Sequence, residues 1–184
     1  PAVGSALLWL PSGAAATPPP DSPFVCHSVT GYSGGGKKMI AEYEGEGRTA
    51  EYDSPRQYAL GQEHKHLPEM QHVCGLAHKP VFNPIVADFY SGMCVSVPIH
   101  TRLMRKKADA SQLKCYFEEY YASHNFVRVA EERLSYLPAN ELSGTNGMKI
   151  YVDGNEDRIL LASVFDNLGK GASGAAVQCM NSML

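Results

Sequence analysis

The sequence predicts an α+β fold, with a mostly antiparallel or mixed sheet and helices beside it. Six short runs read as strands and four read as helices. Several strand runs follow one another with no helix between them, so neighbouring strands should often pair antiparallel. At 184 residues the chain is long enough for one domain with a real core.

The elements follow in order. PAVGSALLWLP, residues 1–11, is an apolar turn or two of helix. No basic stretch precedes it, so it is not a signal peptide. Without an initiator Met, it reads as the inside of a protein exposed by a cut. SGAAATPPPDSP, 12–23, is a Pro/Ala loop. FVCHSVT, 24–30, is a strand with Cys26 as a small buried hydrophobe. KKMIAEYEG, 37–45, and HLPEMQHVCGL, 66–76, read as helices, the second with Pro68 in its first turn and Glu69 beside it. PVFNPIV, 80–86, and GMCVSVPI, 92–99, are strands. ADASQLKCYFEEYYASH, 108–124, is a helix capped by Asp109 or Ser111, with Leu113, Tyr116, Phe117 and Tyr120 on one face. FVRVAE, MKIYVDG and RILLASVF are three more strands. GASGAAVQCMNSML closes the chain as a helix without a glycine cap.

Composition narrows the function. The chain is 44% hydrophobic and 19% charged, which is globular rather than disordered. A net charge of -3 lacks the basic surplus of a nucleic-acid binder. Five scattered cysteines with no C-x-x-C spacing suit free thiols in a reducing, cytoplasmic compartment. No apolar run approaches the ~20 residues of a membrane span.

Two glycine motifs need weighing. GYSGGGK, residues 31–37, has P-loop spacing, but Lys38 stands where a magnesium-holding Ser or Thr belongs. GKGASG, 169–174, spells G-x-G-x-x-G, yet only ten residues follow, and a dinucleotide fold needs a βαβ unit of ~30. It reads either as a tightly packed helix start or as a ligand contact.

YALGQEHKHLPEMQH gathers Tyr58, Glu63, His64, His66, Glu69 and His72. His64 and His66 could share one face of an extended segment. Three chemistries stay open: a metal site with His72 or Glu69 as third ligand, general acid/base catalysis, or surface histidines capping a helix. His27, His78, His100 and His124 stand alone and read as structural.

Together SVTGYSGGGKKMIAEYE, YALGQEHKHLPEM, FNPIV with GMCVSVP, FVRV, GTN at 144–146 and DNLGKGASGAAVQ resemble N-acetyl-gamma-glutamyl-phosphate reductase, in that family's order and over most of the chain. SGGGK is similar to its shorter subgroup. The resemblance implies a fold like the C-terminal domain of glyceraldehyde-3-phosphate and aspartate-semialdehyde dehydrogenases. It implies NADPH-dependent reduction of an N-acetyl-glutamyl phosphate to its semialdehyde, in arginine biosynthesis, through a cysteine thioester. The family's Asn-Pro-Gly-Cys motif is absent, and so is its N-terminal dinucleotide fold. The resemblance therefore implies a substrate-binding and dimerisation domain over residues 1–166. A terminal helix over 167–184 should pack on the missing domain, in a homodimer or homotetramer that is inactive without that half. A non-catalytic oligomerisation module of the same fold is the alternative.

Roles carry over singly. His64 matches the acid/base histidine. Tyr58, His66 and Glu69 match positions that line or orient the substrate site. Lys37 or Lys38 would meet substrate anions, Ser33 and Gly34 would touch the cofactor, and Asn167 would lie near the nicotinamide. The resemblance implies no metal.

Overall fold

Alternation along the strands decides which side of the sheet is core. The computed structural model describes residues 18–183; the helix expected in residues 1–11 lies outside them. Within that span are β1 (Val25–Gly31), α1 (Gly36–Glu44), β2 (Arg56–Gln57), α2 (Leu67–Val73), β3 (Val81–Ala87) and β4 (Met93–His100). There follow α3 (Ala110–Tyr121), β5 (Val127–Val129), β6 (Met148–Gly154), β7 (Arg158–Phe165) and α4 (Gly174–Met183). All six expected strands form; the two-residue β2 had no sequence signal. They make a mixed seven-stranded sheet in the order β2-β3-β1-β4-β7-β6-β5. β1 pairs with β3 and β5 with β6 in parallel, and the other neighbours are antiparallel.

One face of the sheet carries the core. Met93, Val95, Val97 and Ile99 of β4 project there with Ile159, Leu161 and Phe165 of β7. Cys26, Phe82, Met148 and Ile150 join them from the flanking strands. Helices α2 and α3 close this side with Leu67, Met70, Leu113, Phe117 and Tyr121. The expected face of α3 needs one correction. Tyr121, four residues after Phe117, takes the buried place, whereas Tyr120 is 48% exposed. Asp109 is the cap: its carboxylate accepts from Gln112 N at 2.8 Å, and the Gln112 side chain accepts from Asp109 N. Such a capping box contributes about 1 kcal/mol.

The opposite face is covered at one end, where Ala130, Leu137 and Ala139 lie over Cys94, Tyr151, Ala162 and Val164. Elsewhere it is less covered by the described residues, with Val81 49% and Leu160 39% exposed.

The sheet delivers three loops to one place. The segment after β1 is tied to the turn before β4: Gly31 N donates to Gly92 O, Tyr32 N to Phe89 O and Ser33 N to Tyr90 O, at 2.9 to 3.1 Å. Gly31 has to be glycine, since a Cβ there would press on the Phe89 and Tyr90 carbonyls. Past β7, the chain turns through a π-helical segment, Gly169–Ser173, into α4. Gly169 and Gly174 are held against Thr145 and Asn146, so these two glycines of the second motif serve close packing.

Candidate functional site

The turn carrying the histidines is built by backbone conformations that its residues do not favour. Ala59 and Gln62 both have positive φ, 52° and 56°. The Gln62 side chain then imitates a strand partner. Its Nε2 donates to Phe82 O and its Oε1 accepts from Phe82 N, each at 2.9 Å. This clasp sets His64 edge-on against Phe82, with ring centroids 5.1 Å apart. Tyr58 is anchored beside it by its N–H to Pro84 O. The segment is a turn rather than extended, since Leu67 N donates to His64 O. Three consecutive residues, His64, Lys65 and His66, thereby line one cavity.

That cavity has a volume of about 330 Å³. Thr30, Gly31, Gly34 and Gly35 come from the loop after β1, Tyr58 and His64 to His66 from the turn, and Asn167 and Gly171 from the segment after β7. Met39, Val86 and Met93 supply apolar wall. No Asp or Glu lines it, although the chain as a whole is acidic. The surface is therefore biased toward an anionic ligand.

The two histidines are held differently. His66 N donates to His64 Nδ1 at 3.2 Å, so a neutral His64 carries its proton on Nε2. His66 Nδ1 meets Glu69 Oε2 at 3.1 Å, so its Nε2 is left as an acceptor. The rings stand 5.0 Å apart. Burial lowers the pKa of His64, and the charges of His66 and Lys65 add to this. Burial also lowers that of His66, with Lys65 adding and Glu69 opposing. Both are thus kept neutral close to physiological pH.

The residues expected to form the site divide. Tyr58, His64, His66, Gly34 and Asn167 line the cavity together. Glu69 stands behind His66. Ser33 is buried at 4% exposure, and its hydroxyl is occupied by the Asn167 side chain. Lys37 and Lys38 do not line the cavity: they sit on the exposed first turn of α1, and Lys38 reaches Glu42 at 3.9 Å. Sequence reasoning passed over Lys65 and Gln62. Lys65 could have been found from its place between two histidines; Gln62 carried no signal.

The P-loop alternative meets a physical obstacle. The amides of Gly31, Tyr32 and Ser33 are spent on the β4 turn and that of Gly36 on Ser33 O, so these do not form a phosphate cradle. For the metal alternative, no group of three or more His, Cys, Asp or Glu among the described residues is arranged to hold an ion.

Comparison with known proteins bears on the family and the fold. A family model described as semialdehyde dehydrogenase, dimerisation domain, matches residues 2–167. Proteins named N-acetyl-gamma-glutamyl-phosphate reductase match at 38% identity in Burkholderia ambifaria and 39% in Chelativorans sp., each over 98% of this chain. The chain spans 59% and 60% of their lengths. Among solved structures, aspartate semialdehyde dehydrogenase II from Vibrio cholerae superposes with a TM-score of 0.70 at 16% identity, over 98% of this chain and 59% of that one. The Francisella tularensis aspartate semialdehyde dehydrogenase gives 0.69 at 14%, over 99% and 62%. At such identities these two show the fold, a mixed sheet with helices as expected from sequence. The chain belongs to the semialdehyde dehydrogenase dimerisation-domain family, and the two relatives above are named N-acetyl-gamma-glutamyl-phosphate reductase.

Proposed function

We propose that this chain is the substrate-binding and dimerisation part of an NADPH-dependent reductase that converts N-acetyl-glutamyl phosphate to N-acetylglutamate semialdehyde. The observation that carries the reading is the cavity lined by His64, Lys65 and His66 with no carboxylate, in a chain whose relatives bear that enzyme's name. The nucleophilic cysteine and the dinucleotide fold would come from the part of the enzyme that this chain does not span. The chain alone would then be inactive.

Each residue has a chemical task in this scheme. A cysteine thiolate attacks the acyl carbon, the C–O bond to phosphate breaks, and inorganic phosphate leaves. His66, with Glu69 holding its Nδ1, is suited to take the thiol proton at Nε2. His64, with Nδ1 committed to the His66 amide, is suited to donate from Nε2 to the oxygen that becomes anionic when the thioester is reduced. Acid/base work expected of His64 alone is thus shared between the pair. Tyr58 closes the substrate side. NADPH, when bound, supplies the hydride. Gly34 and Asn167 would hold the nicotinamide end of the cofactor; they lie close together, a Cβ at Gly34 standing 3.3 Å from Asn167 Nδ2. Ser33 would act behind them, by holding Asn167.

Two further parts of the proposal concern assembly. The open sheet face, with Val81 and Leu160 exposed, would bury itself against a second copy in a homodimer or homotetramer. Helix α4 exposes Val177 at 52%, Met180 at 54% and Met183 at 86%, and residues 167–184 would pack on the dinucleotide domain. The setting would be cytoplasmic arginine biosynthesis. Among the described residues no helix is long and apolar enough to cross a membrane.

The test joins the chain to the nucleotide-binding half of a relative and assays phosphate-dependent NADP⁺ reduction by N-acetylglutamate semialdehyde. Turnover in the joined protein, and none in the chain alone, is expected. A well-folded joined protein without turnover would favour the non-catalytic oligomerisation module.

A further inference from the structure

We infer that Lys65 is the anion-binding residue of the cavity, receiving a phosphoryl or carboxylate oxygen of the ligand on its ammonium. The inference deepens the reductase reading at the same site and rests on it for the identity of the ligand.

Four observations carry it. First, the turn at His64, closed by Leu67 N to His64 O, lets three successive residues line one cavity. In an extended strand the middle one would point away. Second, Lys65 is the lysine among the lining residues and is met there by no Asp or Glu. Third, Lys65 is exposed and makes no ion pair among the described residues, unlike Lys38, Lys114 and Lys149, each of which meets a glutamate. No described residue neutralises its charge. Fourth, its field reaches both histidines, and their pKa values are lowered by it. An anion placed on Lys65 would cancel that field, so ligand binding and histidine protonation are coupled, each favouring the other. The lysines that the sequence suggested for this task, Lys37 and Lys38, lie outside the cavity.

Lysine suits the role as a mobile point charge rather than a planar fork. It can meet a tetrahedral phosphoryl group or a carboxylate without a fixed approach direction.

The experiment follows backbone and histidine-ring NMR signals of the chain during titration with inorganic phosphate and, separately, with N-acetyl-L-glutamate. Saturable shifts are expected at Gly34, Gly35 and the rings of His64 and His66, with both ring pKa values rising toward their ordinary 6.5. Lys65→Met should weaken binding about fivefold, the upper range for one solvent-screened charge pair. Lys65→Arg should retain it. A response to phosphate alone assigns the phosphoryl group, and a response to N-acetyl-L-glutamate alone assigns a carboxylate. Unchanged affinity in Lys65→Met, shifts centred on Lys37 and Lys38, or no saturable shift at the cavity would each overturn the assignment. In the joined enzyme, Lys65→Met should raise KM for the acyl phosphate with little change in kcat. Normal KM there defeats the Lys65 role and leaves the reductase reading. Lys65-dependent binding with no turnover in the unsubstituted joined enzyme does the reverse.

Discussion

Asn167 Nδ2 donates to Ser33 Oγ at 3.1 Å, joining residues 134 apart in sequence. The same amide accepts from Gly92 N at 2.7 Å. One side chain therefore holds the loop after β1, the turn before β4 and the segment after β7 in fixed relation. The first and the last of these line the cavity. Replacing Asn167 with Ala leaves a buried amide and a buried hydroxyl without partners. The expected loss is about 1–3 kcal/mol of stability. Denaturant unfolding checks it, and an unchanged midpoint would show that these contacts do not fix the loops.

The Gln62 clasp gives a second expectation. Gln62→Ala removes both hydrogen bonds to Phe82 and frees the turn ahead of His64. Stability should fall by roughly 1–2 kcal/mol. The His64 ring signals should broaden or move as the ring leaves Phe82. Ala59→Gly should act oppositely, because glycine enters the φ of 52° without strain. If Gln62→Ala leaves the His64 ring where it was, the clasp does not position the histidine.

These two relationships mark what the sequence could show. The strands were legible because each alternates or runs apolar between Gly and Pro punctuation, and the α3 cap because Asp109 precedes a periodic face. Tyr58, His64 and His66 were legible in one histidine-rich stretch, whereas Gly34 and Asn167 were expected at the site only through the family resemblance. Gln62 was not legible, because a polar side chain that completes a sheet edge looks like any surface glutamine until β3 is placed beside it. That Lys37 and Lys38 fall outside the lining was not legible for a related reason. Adjacency to a glycine loop says nothing about which way the following helix aims its first turn. Tyr121 replaced Tyr120 on the core face because two adjacent tyrosines differ by 100° around the helix, which a short pattern does not resolve.

The buried thiols predict an alkaline limit. Burial pushes Cys26 up to about 12 from its ordinary 9.0, with Cys74 adding, and burial pushes Cys74 up to about 12 as well. A raised folded pKa gives stability that is complete below the unfolded value and is lost as pH rises through the folded one. Stability should therefore decline progressively between pH 9 and 12. Cys26→Ala should flatten that decline even though the smaller side chain lowers stability at neutral pH. A pH slope identical in both proteins would place the alkaline transition elsewhere.

The last expectation separates the two histidines. Both have folded pKa values below the ordinary 6.5, so their neutral forms contribute stability that is present above pH 6.5 and lost as pH falls through the folded values. In the joined enzyme the same groups govern turnover. His64→Asn keeps an acceptor for the His66 amide but removes the Nε2 proton. It should lower kcat by ~10²–10⁴ while substrate affinity changes little, since proton donation acts on the transition state. His66→Asn should lower kcat on a similar scale if its Nε2 is the base for the cysteine, and should abolish the ascending limb of the pH profile. Glu69→Gln should cost less, because Glu69 only orients and supports His66. In the unsubstituted enzyme that limb should reflect the His–Cys pair as one coupled unit. Full turnover with His64→Asn and none with His66→Asn would remove His64 from the chemistry and leave the His66–Glu69 pair with both proton transfers. Full turnover in both variants would reduce the histidines to capping the turn before α2, and the cavity would then be a binding site without acid/base function.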